Sequence, residues 1–260
     1  MGRLAEKDSA ARRERQLSSA PNPADFSEAL ARGMAVLSAF GETRRRVTQA
    51  ELARELDLSR ATVRRIVITL EHLGFLVADG RTYELTPRVL RLASSYLTSN
   101  PASVIAQPVC ERICASVGEA CSVAVLDGSD AVMVARAVPN QLLEAGTGIG
   151  FRTPAAISSL GKVLLAHLPD DVRAATLAEL ADAPSTEVLD RIRADGYCYV
   201  ADEIEVGSHS VAVPVRRWDG RVIAAMHVGC RIERISKEDM CGRVLCVLLE
   251  AADELHEQLI

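Results

Sequence analysis

Residues 48–75, TQAELARELDLSRATVRRIVITLEHLGF, admit few folds: two amphipathic helices split by a three-residue break. Thr48 and Glu51 stand at capping-box spacing, so each side chain can satisfy an N–H at a helix start. Leu52, Ala53 and Leu56 form the first apolar stripe. Asp57-Leu58-Ser59 interrupts it, and the Ser59 hydroxyl can cap the next helix. From there Val63, Ile66, Val67, Leu70 and Leu73 recur at helical spacing and are expected to face a core. Gly74 sits where a helix C′ residue would. VADGRTYEL then provides two short strands around Asp79-Gly80, where Gly80 can take positive φ at low cost. Helix, tight turn, helix and ribbon in this order predict a winged helix-turn-helix. Such a unit lays one helix in a major groove and a ribbon against the neighbouring backbone.

The arginines separate this reading from an ordinary helical hairpin with a solvated face. Arg60, Arg64 and Arg65 crowd the first half of the second helix, beside Ser59, Ala61 and Thr62. Arg44, Arg45 and Arg46 run just before the first helix, which Thr48 and Gln49 open, and Arg81 marks the ribbon tip. These twelve residues are the candidate contacts to a double-stranded DNA operator. Charge agrees. Residues 1–91 hold 16 Lys and Arg against 12 Asp and Glu, and the remainder 14 against 23, within a net charge of −5. Phosphate-facing charge is confined to the first part of the chain.

With 260 residues the chain can build two modest domains with real cores. Residues 1–24 are charged, rich in Ala and Ser, and carry Pro21 and Pro23; they read as a disordered arm. The DNA-binding domain is expected over 25–86, a linker helix over 87–99, and a second domain over 100–260. No apolar run is long enough to span a membrane and no secretory signal is evident, so a cytoplasmic protein without a membrane partner is expected. Seven cysteines, at 110, 114, 121, 198, 230, 241 and 246, form no C-x-x-C pair. Free buried thiols are the expectation, with no disulfide framework, metal site or cofactor.

The second domain alternates element types. A helix over 102–117 ends at Gly118. CSVAVLD and AVMVARAV form a hairpin through Gly128-Ser129. IGFRTPAAISSLGKVLLAHL passes from a loop into a helix, and VRAATLAELA and TEVLDRIRADG are further helices. YCYVADE, HSVAVPVR and RVIAAMHVG are strands, the last two joined at Asp219-Gly220, and 236–258 is one long amphipathic helix. This is an antiparallel α+β domain, suited to holding a small ligand. Gly146-Thr147-Gly148-Ile149-Gly150 lacks a following helix and a Lys-Ser/Thr pair, so it reads as a loop or pocket rim rather than a phosphate cradle.

Two other functions are compatible with a fused helix-turn-helix: a small-molecule enzyme, or a redox or metal sensor. Asp202, Glu203, Glu205, Ser208, His209, Ser210 and His227 supply the residue types of a Ser/His/Asp arrangement. Yet no nucleophile elbow, H-E-x-x-H, Walker loop or G-x-G-x-x-G is present. On one strand His209 must also face away from Ser208 and Ser210. The cysteine spacings argue against the sensor.

The stretches ALARGMAVLSAF, TQAELARELDLSRATVRRIVITLEHLGFL, RTYELTPRVLRLA, RTPAAISSLGKVLLAHL and GYCYVADEIEVGSHSVAVPV together resemble the IclR family of bacterial transcriptional regulators, over nearly all of residues 26–258. The last stretch is close to that family's signature, Gly-Tyr-x4-Asp/Glu-Glu-x3-Gly. The resemblance implies a winged helix-turn-helix, a linker helix and a GAF-like effector domain. It also implies homodimers, with homotetramers common. Within the family, GFRTPAAISSLGKVLLAHL and SVAVPV are most similar to regulators of aromatic-acid catabolism in the protocatechuate and 4-hydroxybenzoate branch. Effector contacts implied by the resemblance fall on Ser158, Ser159, Leu160 and Gly161, and on Val200, Ser210, His227 and Gly229. Val200-Ala201, Ser208-His209 and His227 depart from the usual family residues, so the effector of a relative does not carry over.

Arg152 adds a chemical expectation. It precedes the helix start at Ser158-Ser159, so a cation and free helix N–H groups can converge on a carboxylate. The alternative is that Arg152 braces its loop. A small carboxylic acid, with hydroxybenzoates first, is the expected effector.

Overall fold

The computed structural model describes residues 25–41, 44–139 and 148–259. The arm expected over 1–24 and residues 146 and 147 of the glycine loop lie outside these. The chain divides into two units, residues 1–92 and 93–260.

In the first unit α1 (Glu28–Ser38) precedes β1 (Val47–Thr48), α2 (Gln49–Glu55), α3 (Arg60–His72), β2 (Leu76–Asp79) and β3 (Thr82–Leu85). The strands form an antiparallel sheet in the order β1-β3-β2. The expected caps form. Thr48 and Glu51 make the reciprocal capping box, and the Ser59 hydroxyl accepts the Thr62 N–H at 3.1 Å. Gly80 takes φ +63 at the ribbon tip. Val36, Val47, Leu52, Val63, Val67, Leu70 and Leu76 make the core, with Leu56 and Ile66 half-buried against it.

Leu73 corrects the periodicity argument: it is 47% exposed rather than buried. It caps α3, and Gly74 at φ +77 then reverses the chain so that the Phe75 N–H reaches the Leu70 carbonyl at 2.9 Å. The turn sends Phe75 and Leu76 to the core in its place. After a 3-10 turn at Pro87–Val89, helix α4 (Leu90–Ser99) follows. No residue of α4 is buried, and Leu90, Leu92 and Tyr96 are exposed.

The boundary between the units falls within α4, and the second unit continues with α5 (Pro101–Val117), capped by Gly118 in the left-handed conformation. Next come β4 (Ala120–Asp127), β5 (Asp130–Ala137), β6 (Arg152–Pro154), α6 (Ser159–Ala166), α7 (Asp170–Glu179) and α8 (Thr186–Asp195). Then β7 (Cys198–Ala201), β8 (Ser208–Arg216) and β9 (Val222–Arg231) lead to α9 (Leu245–Gln258). The six strands form one antiparallel sheet, β6-β5-β4-β9-β8-β7. Helices α5 and α9 cover one face through Val109, Ile113, Leu248 and Leu255. Helices α6 and α8 cover the other through Leu160, Val163, Leu189 and Ile192. This is the α+β arrangement expected.

Two details differ from expectation. Arg152–Pro154, taken as loop, is an edge strand on β5. The C-terminal helix is interrupted: a turn at Lys237–Asp239 and a π turn at Met240–Val244 precede α9.

Candidate functional site

The first unit presents a charged helix start. Arg60, Ala61, Arg64 and Arg65 are exposed along α3, and the Ser59 and Thr62 hydroxyls meet at 2.9 Å at its beginning. Among the described residues, Arg60, Arg64, Arg65 and Arg81 make no ion pair, whereas Arg44, Arg45 and Arg46 do: with Glu55, with Glu84, and with Asp79 and Glu84 respectively. Gln49 donates to the Tyr83 hydroxyl at 2.8 Å, tying α2 to the wing, and Thr48 is occupied by its cap. Among the described residues the uncommitted charges are therefore Arg60, Arg64, Arg65 and Arg81, while Ser59 and Thr62 are joined at the cap of α3 and Arg44, Arg45, Arg46, Thr48 and Gln49 are held within the unit.

In the second unit, strand register turns the sheet face beneath α6 into a grid. One cross-strand row reads Arg136, Ser122, His227 and Ala212; the next reads Ala120, Gly229, Ser210 and Val200. Over this grid lies a cavity of about 300 Å³. The start of α6 forms its roof. The Ser158 hydroxyl accepts the Gly161 N–H at 3.0 Å, and the Ser159 hydroxyl shares a 2.8 Å hydrogen bond with Ser210 on the floor. Gly229 leaves the floor open between two polar groups: a Cβ there would stand 3.3 Å from Ser210 Cβ and 3.6 Å from His227 Cε1.

Seven of the nine expected effector residues line this cavity: Ser158, Ser159, Leu160, Val200, Ser210, His227 and Gly229. Gly161 has another role. A Cβ on it would lie 2.1 Å from Ala155 Cα, so its hydrogen lets α6 close onto the preceding turn. Arg152 is outside the lining. Its guanidinium donates to Asp127 at 2.8 Å and Asp130 at 3.0 Å, bracing the β4–β5 hairpin against β6. The convergence of Arg152 with the α6 start does not form, because the side chain runs back across the strand pair.

Three arginines line the cavity, Arg136, Arg231 and Arg234; Arg231 pairs with Glu205 and Arg234 with Glu119, and Arg136, which the sequence reading missed, stands on the sheet floor. It donates to Ser122 Oγ at 2.9 Å and approaches Met133 Sδ at 3.4 Å. The available signal was its being the one charge in AVMVARAV, an otherwise apolar strand. Burial, and secondarily the Arg136 charge, push the His227 imidazole down to about 3, so it is neutral at ordinary pH. Its Nδ1 is buried with no hydrogen-bond partner among the described residues.

His209 faces the opposite layer, 3.2 Å from the Tyr199 hydroxyl and 3.4 Å from Cys230 Sγ, and among the described residues no hydrogen bond joins it to a serine or a carboxylate. Burial raises the Cys198 thiol to about 12 and the Cys230 thiol to about 11, which suppresses the reactive thiolate. Among the described residues no His, Cys, Asp and Glu cluster could hold a metal, and no helix is long and apolar enough to cross a membrane.

Comparison with known proteins assigns both units. The profile for the IclR helix-turn-helix domain matches residues 29–80, and that for the bacterial transcriptional regulator IclR C-terminal matches 94–257. The chain is 38% identical over 247 residues to the Pca regulon regulatory protein of Pseudomonas putida, covering 90% of this chain and 85% of the relative. It is 34% identical over 248 residues to the p-hydroxybenzoate hydroxylase transcriptional activator of Acinetobacter baylyi, covering 89% and 92%. Among solved structures, an IclR homolog complexed with 4-hydroxybenzoate from Microbacterium hydrocarbonoxydans superposes with a TM-score of 0.73. That match is 26% identical and covers 89% of this chain and 99% of the other.

Proposed function

The chain belongs to the IclR family of bacterial transcriptional regulators, and on that premise we propose that it controls genes of aromatic-acid catabolism in response to a small aromatic carboxylic acid. Hydroxybenzoates are the first candidates. The observation that carries this reading is the cavity, which faces Arg136 from one side and the Ser159–Ser210 hydroxyl pair from another. A guanidinium suits a carboxylate, and hydroxyls with a neutral imidazole suit a ring hydroxyl. Apolar walls from Met133, Phe151 and Leu160 suit the ring between them. Relatives named for the Pca regulon and for p-hydroxybenzoate hydroxylase support the pathway, and the neighbour with bound 4-hydroxybenzoate supports the ligand class.

On the DNA side, Ser59, Arg60, Thr62, Arg64 and Arg65 read the major groove and Arg81 touches backbone. The protein acts in the cytoplasm, as a homodimer or homotetramer on a palindromic operator. The exposed Leu90, Leu92 and Tyr96 of α4 support a second copy covering that helix.

Calorimetry on the full chain with protocatechuate, 4-hydroxybenzoate and their methyl esters tests the effector. The acids bind, and each ester binds at least about tenfold more weakly, the lower end of a charge-assisted hydrogen bond. Esters that bind as well as acids overturn the carboxylate assignment. Absence of binding by every aromatic acid overturns the pathway.

A further inference from the structure

The arginines of the first unit are sorted by the wing's own acids. Arg45 lies 3.4 Å from Glu84, and Arg46 bridges Glu84 and, at 3.3 Å, Asp79. Both acids flank the tip that carries Arg81: Asp79 ends β2, and Glu84 stands on β3 opposite Val77. Register explains the contact. Val47 pairs with Tyr83 and Thr48 with Thr82, so Arg46, next before β1, runs out alongside Glu84. The Glu84 side chain is only 14% exposed against 85% for Arg45 and 60% for Arg46. A fixed carboxylate thus stands between two loose guanidiniums.

Sequence-independent DNA affinity comes from guanidinium and ammonium groups that replace counterions on phosphate. A carboxylate that neutralises such groups beside a backbone-contacting ribbon opposes this term without touching base readout by α3. We propose that Glu84, assisted by Asp79, is a built-in counter-charge that keeps Arg45 and Arg46 from phosphate and thereby sharpens discrimination between operator and random DNA. Phosphate must displace Glu84 or bind against its repulsion. Operator seating is set by the base contacts of α3 and does not need phosphate at Arg45 and Arg46, whereas a random duplex is held by phosphate contacts alone and loses these two, so the counter-charge weakens random binding more.

The test is fluorescence anisotropy on the full chain, at several salt concentrations. One duplex is selected by the protein from a random pool, and the other is a scrambled duplex of equal length. Glu84→Gln raises affinity for the scrambled duplex about tenfold or more and for the selected duplex less. The slope of log K against log salt steepens by up to about 2 per protomer, roughly 0.9 for each released arginine. Asp79→Asn, an exposed change that does not threaten the fold, shifts both quantities the same way by less. Adding Arg45→Gln and Arg46→Gln to Glu84→Gln abolishes the gain. An unchanged slope in both single variants, equal gains on the two duplexes, or a gain that survives loss of the arginines overturns the proposal.

Discussion

Arg136 on β5 and His227 on β9 stand in one cross-strand row with Ser122 between them, so sheet register rather than a loop fixes the spacing of this guanidinium and this imidazole. The arrangement has a consequence for stability. His227 is held down to about 3 by burial and by Arg136, while in the unfolded chain it titrates near about 6.5. Between those values the unfolded state binds a proton that the folded state refuses. His227 therefore adds stability that is fully present above about pH 6.5 and is lost as pH falls toward 3. Burial lowers His167 and His209 in the same direction. Thermal melts should decline from pH 7 to pH 4. His227→Gln should flatten that decline, by at most about 1.4 kcal/mol per pH unit, since His227 borders the cavity and water there softens the effect. Equal pH slopes for variant and wild type would remove His227 from the account.

Two glycines make opposite predictions. At Gly161 a Cβ meets Ala155 at 2.1 Å from Cα and 2.4 Å from the carbonyl oxygen, all backbone that cannot rotate away. Gly161→Ala should destabilise the second unit by about 3 kcal/mol or more in urea unfolding. At Gly229 the nearest atoms are Ser210 Cβ at 3.3 Å and, at the ordinary contact distance of 3.6 Å, the His209 carbonyl oxygen and His227 Cε1, beside open cavity. Gly229→Ala should cost under about 1 kcal/mol of stability while weakening ligand binding several-fold. A stable Gly161→Ala, or a Gly229→Ala that unfolds but binds normally, contradicts this division.

The first unit was readable because its signals are local. Caps, breaks and stripes between Thr48 and Gly80 act within a few residues, and the one failure, Leu73, fell where Gly74 redirects the chain. The cavity was readable only in part. Ser158, Ser159, Ser210, His227 and Gly229 came from likeness to a family, whereas their meeting depends on pairing between strands far apart in sequence. Arg152 misled for the same reason. Its neighbours in sequence suggested a helix terminus, but its partners, Asp127 and Asp130, lie across a strand pair formed by the unforeseen β6. Arg136 was passed over because alternation alone does not say which face of AVMVARAV meets the cavity, and a bulge near Val123 shifts that alternation.

Those two arginines can be told apart in solution. Arg136→Gln should abolish the preference for a carboxylic acid over its methyl ester, reducing acid binding by about tenfold to a hundredfold. Arg152→Gln removes ion pairs that are 46% exposed on the arginine side, so it should lower stability by no more than about 1 kcal/mol and leave binding within twofold. Titration of both variants with acid and ester decides the matter. Loss of acid binding in Arg152→Gln alone would return the anion site to the β6 edge.

The last prediction divides the DNA contacts. Arg64 is exposed on the first half of α3, the element placed to enter the major groove, and it makes no ion pair with a described residue. An arginine there can bind a guanine edge through two parallel hydrogen bonds, worth about 1–3 kcal/mol of discrimination. Arg81 lies at the ribbon tip beside Gly80, where the neighbouring backbone passes. Arg64→Ala should therefore weaken the selected duplex more than a scrambled one, narrowing the ratio between them by about fivefold to a hundredfold. Arg81→Ala should weaken both alike and reduce the salt slope by about 1 per protomer. Gel-shift competition at two salt concentrations separates these outcomes. If both variants lose selected and scrambled duplex in equal proportion, Arg64 contacts phosphate, and sequence reading passes to Arg60, Thr62 and Arg65 on the same helix.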